Sequence, residues 1–426
     1  MRVRFRPLQC GFRIVTIDGG GVHGISPLVM WKYILLGLPF GLRLSDYVDL
    51  KVATSSGSIV GAGLVIQEME PDECIDMFTN TAGKVFQDNA ACTFLFSVTF
   101  YRKILRQWLY GAKYSRDCLL SALQGIFGCE QLLKAAADPK SVNNVRVAFT
   151  MTDFRTKLYL LRNYDDVTVG AHGDAIYNDD GNRKVVDALV DACAAPTLFK
   201  PNNNRQDGAF AANNPSGVAL AELNRLSLSS RRMLDFSISF GTGRFVREDL
   251  QPYPSCFPWL CPQWIPRLGR SVLESFSASR NYQRLQEQLT VQERSKHHRL
   301  DPLFVGRPIP LDAGKAVKEI KRLTEEFIKH GLDDQVVQDV RLALVATGFY
   351  AVARSSPTFD GLKGVYSLNI AIVSRWNDDA EASFKLRNYL RYARFFVQVT
   401  ARTLDAIMDA QLQPSNSKSH NINSET

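Results

Sequence analysis

Short apolar runs alternate with amphipathic stretches over the first 243 residues of the chain, and this alternation predicts strands and helices in turn. A helix is expected after the first run, with Ser26 as its cap and Pro27 in its first turn. Strands separated by helices favour a largely parallel sheet that is covered by helices. The predicted strands are 12–17 (FRIVTI), 47–53 (YVDLKVA), 145–151 (VRVAFTM) and 234–240 (LDFSISF).

The pattern changes after residue 243. Five prolines and several aromatic residues fall within 244–267, which excludes a regular element there and indicates a boundary or a surface loop. A helical pattern follows at 313–332, and strand-like runs lie at 364–373 and 393–400. The chain is thus expected to comprise an α/β domain (12–243), a Pro- and aromatic-rich loop with a helical extension (244–345), a small β-containing segment (346–412) and a disordered tail (413–426).

Composition and charge narrow the class of protein. With 45% hydrophobic and 22% charged residues, the chain has the material of an ordinary folded globule. Its net charge of +8 permits contact with anionic surfaces such as phospholipid head groups or nucleic acid. A net charge of this size more often reflects only a mildly basic surface that is exposed to water. Eight cysteines without a CxxC pair or zinc-like spacing predict small buried side chains. No apolar run approaches about 18 residues and no secretory h-region follows the N-terminus, so a soluble intracellular protein is expected.

A glycine-rich turn follows the first predicted strand. In its sequence, DGGGVHG (18–24), Gly19, Gly21 and Gly24 formally fit the G-x-G-x-x-G pattern of dinucleotide-binding loops. Backbone N–H groups at a turn before a helix can hold a phosphate, and they can equally hold a developing oxyanion. The loop therefore indicates an anion-binding turn. The motifs that follow it decide whether the anion is the phosphate of a nucleotide or a reaction intermediate.

The second predicted strand ends at a serine. In ATSSGS (53–58), Ser55 lies where the strand gives way to a helix that begins with small residues such as Gly57 and Gly61. This is the layout of a nucleophile elbow, in which a serine occupies a strained strand-to-helix turn with its hydroxyl exposed. Ala53 stands where the G-x-S-x-G pattern has its first glycine, so a purely structural turn remains the alternative.

A third candidate, Asp207, begins the sequence DGA. An aspartate before Gly208 and Ala209 suits a carboxylate held at a tight turn beside another backbone. An isolated Asp-Gly pair is more often a surface turn. The combination of a glycine-rich loop, a serine elbow and a downstream Asp-Gly turn, in this order, is much rarer than its parts.

Together these residues resemble the patatin-like phospholipase family. Its D-G-G-G-x-[RK]-G loop, G-x-S-x-G elbow and D-G-[GA] turn correspond to DGGGVHG, ATSSG and DGA in this chain. The likeness continues in DECIDMF (72–78), ACAAPTLFKP (192–201) and ISFGTG (238–243), so it covers about residues 12–243 as a patatin-like catalytic domain. The resemblance implies a three-layer α/β/α hydrolase fold with a mostly parallel sheet, here followed by a helical, partly β C-terminal extension.

The resemblance also implies a role for each site residue. A Ser-Asp dyad would cleave a fatty-acyl ester of a phospholipid or related lipid through an acyl-enzyme, with no metal and no cofactor. The implied partners are the lipid substrate and a membrane surface contacted peripherally from the cytoplasm, and no nucleic acid is involved. The implied residues are Ser55 as nucleophile, Asp207 as base, the backbone of Gly19, Gly20, Gly21 and Ser56 as oxyanion hole, and Asp18, Gly24, Gly57, Gly208 and Ala209 as supporting motif positions.

Four residues depart from the family pattern. Ala53 and Ser58 stand where glycines are usual, His23 replaces a basic residue of the glycine-rich loop, and Lys51 falls in a strand that should be buried. These departures concern catalytic efficiency more than fold. They keep open a second hypothesis, a catalytically weakened patatin-fold module that serves lipid sensing or protein interaction.

Other interpretations compete at particular residues. A Ser-His-Asp triad would need His172, His297 or His298, for which a surface or loop role is the commoner one. The aromatic segment 244–267, with Trp259 and Trp264, could contact lipid or form a packed connection. The basic run 101–116 could face anionic head groups or be a solvated helix face.

Overall fold

The computed structural model describes part of the chain. The described residues are 11–38, 43–86, 112–133, 145–164, 176–178, 183–195, 198–201, 204–230, 233–245, 277–356, 358–360, 362, 365–367 and 370–374. The predicted features outside them are His172, residues 101–111 of the basic run, most of the aromatic segment with Trp259 and Trp264, the strand-like run 393–400 and the tail from residue 413. The described chain belongs to two compact units, one of residues 12–346 and one of residues 1–11 with 347–426.

The elements follow one another in the order that the apolar runs predict for the first unit. The helices are α1 (Ile25–Leu36), α2 (Leu44–Tyr47), α3 (Ser56–Val65), α4 (Pro71–Val85), α5 (Arg116–Phe127), α6 (Val185–Ala192), α7 (Ala209–Ala212), α8 (Ser216–Ser230), α9 (Ala278–Gln288), α10 (Val291–Arg294), α11 (Val317–His330) and α12 (Asp334–Ala346). The strands are β1 (Phe12–Ile17), β2 (Leu50–Thr54), β3 (Arg146–Asp153), β4 (Leu158–Arg162), β5 (Ile176–Asn178), β6 (Arg205–Asp207), β7 (Leu234–Phe240), β8 (Arg244–Phe245), β9 (His297–Leu300), β10 (Leu303–Phe304), β11 (Phe349–Ala353), β12 (Thr358–Asp360), β13 (Val365–Ser367) and β14 (Ile370–Ser374).

Within the described residues, an eight-stranded sheet forms the centre of the larger unit. Its order is β5-β4-β3-β2-β1-β7-β9, and β6 pairs with the end of β3. The five strands from β3 to β9 in that order are mutually parallel, whereas β4 and β6 run antiparallel to β3. The mostly parallel sheet flanked by helices confirms the predicted fold class. Its last strand, β9, comes from beyond residue 243, so the sheet takes one strand from the predicted extension, while the predicted domain boundaries stay a prediction.

The residues of each central strand face two different helical layers, as expected for a sheet buried on both faces. Ile14 and Val52 belong to an apolar cluster with helix α8. Ile17 points the other way, where Gly57 of helix α3 lies against its side chain. The cluster under α8 consists of Phe12, Ile14, Leu50, Val52, Ala148, Leu160, Ala212, Val218, Ala219, Leu223 and Leu226. Helices α4 and α6 pack on α3, which completes the second layer.

Two predicted element boundaries are wrong. Helix α1 begins at Ile25, and the Ser26 hydroxyl is hydrogen-bonded to Thr324 of helix α11 at 2.9 Å instead of capping its own helix. The second strand begins at Leu50, because α2 ends at Tyr47. A local hydrogen bond from the Arg43 N–H to the Asp46 carboxylate, 2.8 Å long, stabilises that short helix, which includes Tyr47, the first residue of the predicted strand.

Two buried cations on neighbouring strands have different partners. Arg13 forms a buried ion pair with Asp49, with nitrogen–oxygen distances of 3.0 and 3.1 Å. Lys51 is equally buried, yet among the described residues its Nζ is hydrogen-bonded only to the carbonyl of Gly61, at 3.4 Å. Burial lowers the pKa of Lys51 to about 7. Because the unfolded lysine binds its proton more tightly, this residue reduces stability as the pH falls from about 10 towards 7.

The smaller unit contains antiparallel pairs of strands. β11 pairs with β14, and β12 pairs with β13 as a short hairpin. The predicted run 364–373 is therefore divided between β13 and β14. None of the described helices, in either unit, has the length and apolar character needed to cross a bilayer.

Candidate active site

Ser55 forms the turn between β2 and α3. Its φ of 52° lies in the left-handed region that non-glycine residues seldom occupy. Gly57 allows helix α3 to approach the end of β1, because a Cβ at that position would lie 2.6 Å from the carbonyl oxygen of Asp18. The strained serine between a strand and a closely packed helix has the geometry of a nucleophile elbow.

The elbow accommodates Ala53, which replaces the first glycine of the G-x-S-x-G pattern, and Ser58, which stands just after the pattern where a glycine is usual. The Ala53 methyl is buried opposite Gly61, where even an added Cβ would remain 3.6 Å away. The Ser58 hydroxyl donates a hydrogen bond to the Ala53 carbonyl at 3.2 Å. The Ala53 methyl thus has the space that it needs, and the Ser58 hydroxyl has a hydrogen-bond partner, within β2 and the first turns of α3.

Ser55 is in direct contact with Asp207. The Ser55 hydroxyl donates a hydrogen bond to Asp207 Oδ2 at 2.5 Å, and Oδ1 of the same carboxylate accepts the Ala209 N–H at 2.8 Å. Antiparallel pairing of β6 with β3 fixes the backbone of Asp207, and the Thr152 hydroxyl donates to its carbonyl at 2.9 Å. Gly208 is required at this turn, because any Cβ there would collide with Thr150. The two residues that the sequence singled out therefore meet, although 152 positions separate them.

The protonation behaviour of Asp207 follows from its surroundings. Burial raises the pKa of this carboxyl to about 6, and the hydrogen bonds from the Ser55 hydroxyl and the Ala209 N–H act in the opposite direction. At neutral pH the side chain is thus a carboxylate. An ionised acid with a pKa close to the working pH is well matched to accept a proton from a hydroxyl.

The glycine-rich loop lies beside the dyad. A Cβ on Gly19 would approach the Ser55 side chain to 3.0 Å, and Gly21 has a φ of +56°. The Gly19 N–H already donates to the Asn213 carbonyl at 3.2 Å. Within the described part of the chain, the N–H groups of Gly20 and Gly21 make no hydrogen bond. The loop therefore presents two available donors next to the serine.

Ser56 opens helix α3 and, like Ser55, lines a cavity of the larger unit. Its N–H is among the first of the helix, where the intrahelical ladder leaves donors without an acceptor. Its hydroxyl is buried and has no hydrogen-bond partner among the described residues. Gly24 lies against it, because a Cβ there would be 3.0 Å from this hydroxyl oxygen.

Asp18 is held by an arginine that sequence reasoning did not identify. Arg299 of β9 donates to Asp18 Oδ2 at 2.6 Å, and Asn214 donates to Oδ1 at 2.7 Å. Burial raises the pKa of Asp18 to about 6 against the opposing effect of Arg299. Arg299 also bonds to Ser239 at 2.8 Å and to Asp301 at 3.1 Å. No sequence motif marks Arg299, since it lies 281 residues after Asp18.

The histidines of the described residues make no contact with the dyad. His23 lines the cavity, but its Nε2 is hydrogen-bonded to the Ile309 carbonyl at 3.0 Å, and burial lowers its pKa. His297 and His298 lie on β9 and do not line the cavity. Ser55 and Asp207 thus face each other without an intervening imidazole. The described residues also contain no group of three or more His, Cys, Asp or Glu side chains that could hold a metal ion.

A cavity of about 940 Å³ opens onto the dyad. The residues that line it are both apolar and polar. The apolar ones include Ile59, Phe78, Ala82, Val85, Phe86, Leu119, Leu198, Phe199 and Phe210, and the polar ones include Asp18, Arg244, Ser277, Ser279, Arg280, Gln283, Arg299 and Asp301. A cavity of this size with a mixed lining suits an amphipathic molecule.

The chain is similar to known proteins. Residues 15–220 match the family model described as patatin-like phospholipase. Patatin-like protein 3 of Arabidopsis thaliana is 24% identical over 305 residues, which cover 62% of this chain and 66% of that protein. The calcium-independent phospholipase A2-gamma of Homo sapiens is 26% identical over 245 residues, which cover 56% of this chain and 29% of that protein. The crystal structure of VipD from Legionella pneumophila aligns with a TM-score of 0.30 and 13% identity over 75% of this chain and 67% of that chain. The chain thus spans just under two thirds of the plant relative and less than a third of the human one.

Proposed function

Because residues 15–220 form a patatin-like phospholipase domain, we propose that the chain is a lipid acyl hydrolase that cleaves fatty-acyl esters of phospholipids or related lipids. The family match confirms the resemblance drawn from the sequence motifs. The single observation that carries the proposal is the 2.5 Å hydrogen bond from the Ser55 hydroxyl to the buried Asp207 carboxylate, at the wall of a large cavity. A hydroxyl activated by an adjacent base is the requirement of nucleophilic ester cleavage.

The reaction proceeds in two stages at these two side chains. Asp207 takes the hydroxyl proton as Ser55 Oγ attacks the ester carbonyl, and the tetrahedral intermediate then expels the alcohol, which receives that proton. The acyl group remains on Ser55. A water molecule next gives a proton to Asp207 and attacks the acyl carbonyl, and the collapse of this second intermediate returns the proton to Ser55 and releases the fatty acid.

The negative charge of each intermediate develops next to backbone donors. The N–H groups of Gly20, Gly21 and Ser56 are the available ones, whereas the Gly19 N–H would first have to leave the Asn213 carbonyl. Each such donor typically contributes about 2.7–4 kcal/mol to transition-state stabilisation. The φ of Gly21 and the collisions that a Cβ would cause at Gly19 and Gly20 support a loop whose backbone shape is specified by glycine.

The mixed lining of the cavity supports an orientation for the substrate. The acyl chain lies along apolar residues such as Phe78 and Phe199, and the remainder of the lipid lies towards Arg244 and Arg280. Because such substrates are held in membranes, the enzyme takes them up through peripheral contact with a lipid surface.

The proposal is tested by fatty-acid release from mixed phospholipid vesicles and by labelling with a fluorophosphonate probe. We expect Ser55→Ala and Asp207→Asn each to lower the rate at least about 1,000-fold, as removal of a nucleophile or its base does in other serine hydrolases. Ser58→Ala is the matched control, because this neighbouring hydroxyl bonds only to the Ala53 carbonyl. It should retain at least half of the activity. Unchanged hydrolysis by Ser55→Ala, or wild-type protein that is neither labelled nor active on any of the lipids, would contradict the proposal.

A further inference from the structure

The stretch Leu303 to Leu311, hereafter the rim loop, forms one edge of the catalytic cavity. Its residues Pro308, Ile309 and Leu311 line that cavity. Large apolar side chains on the same stretch are exposed to solvent, namely Leu303 at 43%, Val305 at 80% and Leu311 at 53%. Exposed apolar side chains scattered singly are ordinary, but three within nine residues at a cavity edge mark a contact surface.

The rim loop is held in place, so the exposure of its apolar side chains is a property of the fold. Phe304, which lies between Leu303 and Val305, is buried and packs against Phe245 with ring centroids 5.3 Å apart. Pairing of β10 with β8 fixes the strand that carries Leu303 and Phe304. The Leu311 carbonyl accepts the Val22 N–H at 2.8 Å, which ties the other end of the loop to the glycine-rich turn. Strand alternation then turns Leu303 and Val305 outwards.

Two exposed arginines lie at the rim loop. Arg307 within the loop is exposed, and Arg244, the partner of Leu303 in the β8–β10 pair, is exposed at the cavity. The carboxylates at the two ends of the loop contact cationic side chains. Asp301 shares Arg299 with Asp18, and Asp312 pairs with Lys113 and accepts a hydrogen bond from the Tyr114 hydroxyl. The surface therefore offers apolar side chains and two guanidinium groups, a combination that complements an anionic lipid interface.

We propose that the rim loop, with Arg244 and Arg307, is the surface that seats this protein on a bilayer containing anionic phospholipid, with the mouth of the cavity facing the lipid. The apolar side chains enter the head-group region, and the two arginines contact lipid phosphates. The inference uses the proposed function only to identify lipid as the substrate, because adsorption to a bilayer requires neither Ser55 nor Asp207.

The test compares two valines of equal exposure. Val305 is 80% exposed in the rim loop, and Val291 is 81% exposed in helix α10, away from the cavity-lining residues. Val305→Asp and Val291→Asp are prepared, together with Val305→Trp. Binding is measured by co-sedimentation with vesicles of phosphatidylglycerol and phosphatidylcholine, and hydrolysis is measured on the same vesicles and on a water-soluble short-chain ester.

We expect Val305→Asp to lower the vesicle partition coefficient at least tenfold and to lower the ratio of vesicle to soluble-ester hydrolysis by a similar factor. Val291→Asp should match the wild type within twofold in both, and Val305→Trp should bind vesicles more tightly. Arg307→Gln should weaken binding to phosphatidylglycerol vesicles at low salt and leave binding to pure phosphatidylcholine unchanged.

The outcomes separate this inference from the proposed function. Equal vesicle binding by Val305→Asp and Val291→Asp, or no binding of anionic vesicles by the wild type, would overturn the rim-loop proposal even if esters are cleaved. Vesicle binding that depends on Val305, together with no hydrolysis of either substrate by the wild type, would support the docking surface and reject the hydrolase.

Discussion

Two carboxylates beside the glycine-rich loop are alike in burial and differ in their partners. Asp18 and Asp207 are both fully buried, and burial raises the pKa of each to about 6. Asp207 contacts the Ser55 hydroxyl, whose proton it can accept, and one backbone N–H. Asp18 contacts the Arg299 guanidinium and the Asn214 amide, which are permanent donors. The two carboxylates thus differ in their partners rather than in their burial or pKa, and of the two only Asp207 contacts a hydroxyl whose proton it can accept.

The two regions also differ in how the chain builds them. The dyad arises from two turns within residues 15–220, the part of the chain that matches the family model. The anchor of the glycine-rich loop depends on Arg299 of β9, which lies outside that part. Asp301, next along the chain from β9, accepts the Gly243 N–H at 3.2 Å and so joins the turn after β7 to the same network. The glycine-rich loop is thus held by residues that lie after residue 243.

The largest expected effect that sharpens this comparison is the pH dependence of hydrolysis. A general base must be deprotonated, so kcat/KM should fall as the pH drops through the Asp207 pKa of about 6. Below that value the loss is about tenfold per pH unit, which amounts to about 100-fold at pH 4. The measurement is a rate profile on a water-soluble ester between pH 4 and 9. Circular dichroism at each pH provides the control for folding.

The same profile shows which carboxylate titrates. Replacement of Arg299 removes the cation beside Asp18 and should raise the pKa of Asp18 but not that of Asp207, whose pKa Arg299 does not influence. If the fall in kcat/KM of Arg299→Met at acidic pH keeps a midpoint near pH 6, the titrating group is Asp207. A midpoint that moves to higher pH would identify the titrating group as Asp18, and Asp207 would then not be the base.

The next effect concerns the ion pair between Arg299 and Asp18, which anchors the glycine-rich loop. Arg299→Met should lower kcat about 10- to 100-fold and leave KM within threefold, since a glycine-rich loop that loses its ion pair places the oxyanion donors less accurately. Arg299→Lys is the matched variant, because it retains the charge and should recover a large part of the rate. Rates are expressed per active site as titrated with a fluorophosphonate, which removes any contribution from unfolded protein. Equal rates per active site for Arg299→Met and the wild type would show that Arg299 supports only the fold.

The sequence predicted the sheet and singled out Ser55 and Asp207, which the structure brings into contact, because the signals for both are local. An apolar run followed by small residues marks the elbow at Ser55, and the Asp-Gly pair marks the turn at Asp207. It could not predict Arg299, since an arginine on an edge strand carries no motif and acquires its role only when β9 joins β7. The start of α1 was misplaced for a related reason, because the Ser26 hydroxyl finds its partner in Thr324, which is distant in sequence.

The smallest expected effect concerns Ala53, the residue that makes the elbow motif imperfect. Its methyl group lies in an ordinary strand position, paired with Ile17 and Phe149, and Gly61 leaves the space that it needs. Ala53→Gly should therefore change kcat by less than threefold. It should also reduce the free energy of unfolding by about 0.5–1 kcal/mol, because glycine loses more backbone freedom on folding. Urea denaturation and the soluble-ester assay measure both. A rise in kcat of tenfold or more would instead mean that the methyl group displaces Ser55 from Asp207. In that case the rate would be limited by the packing of Ala53, whereas the glycine-rich loop is held by the hydrogen bonds of Asp18.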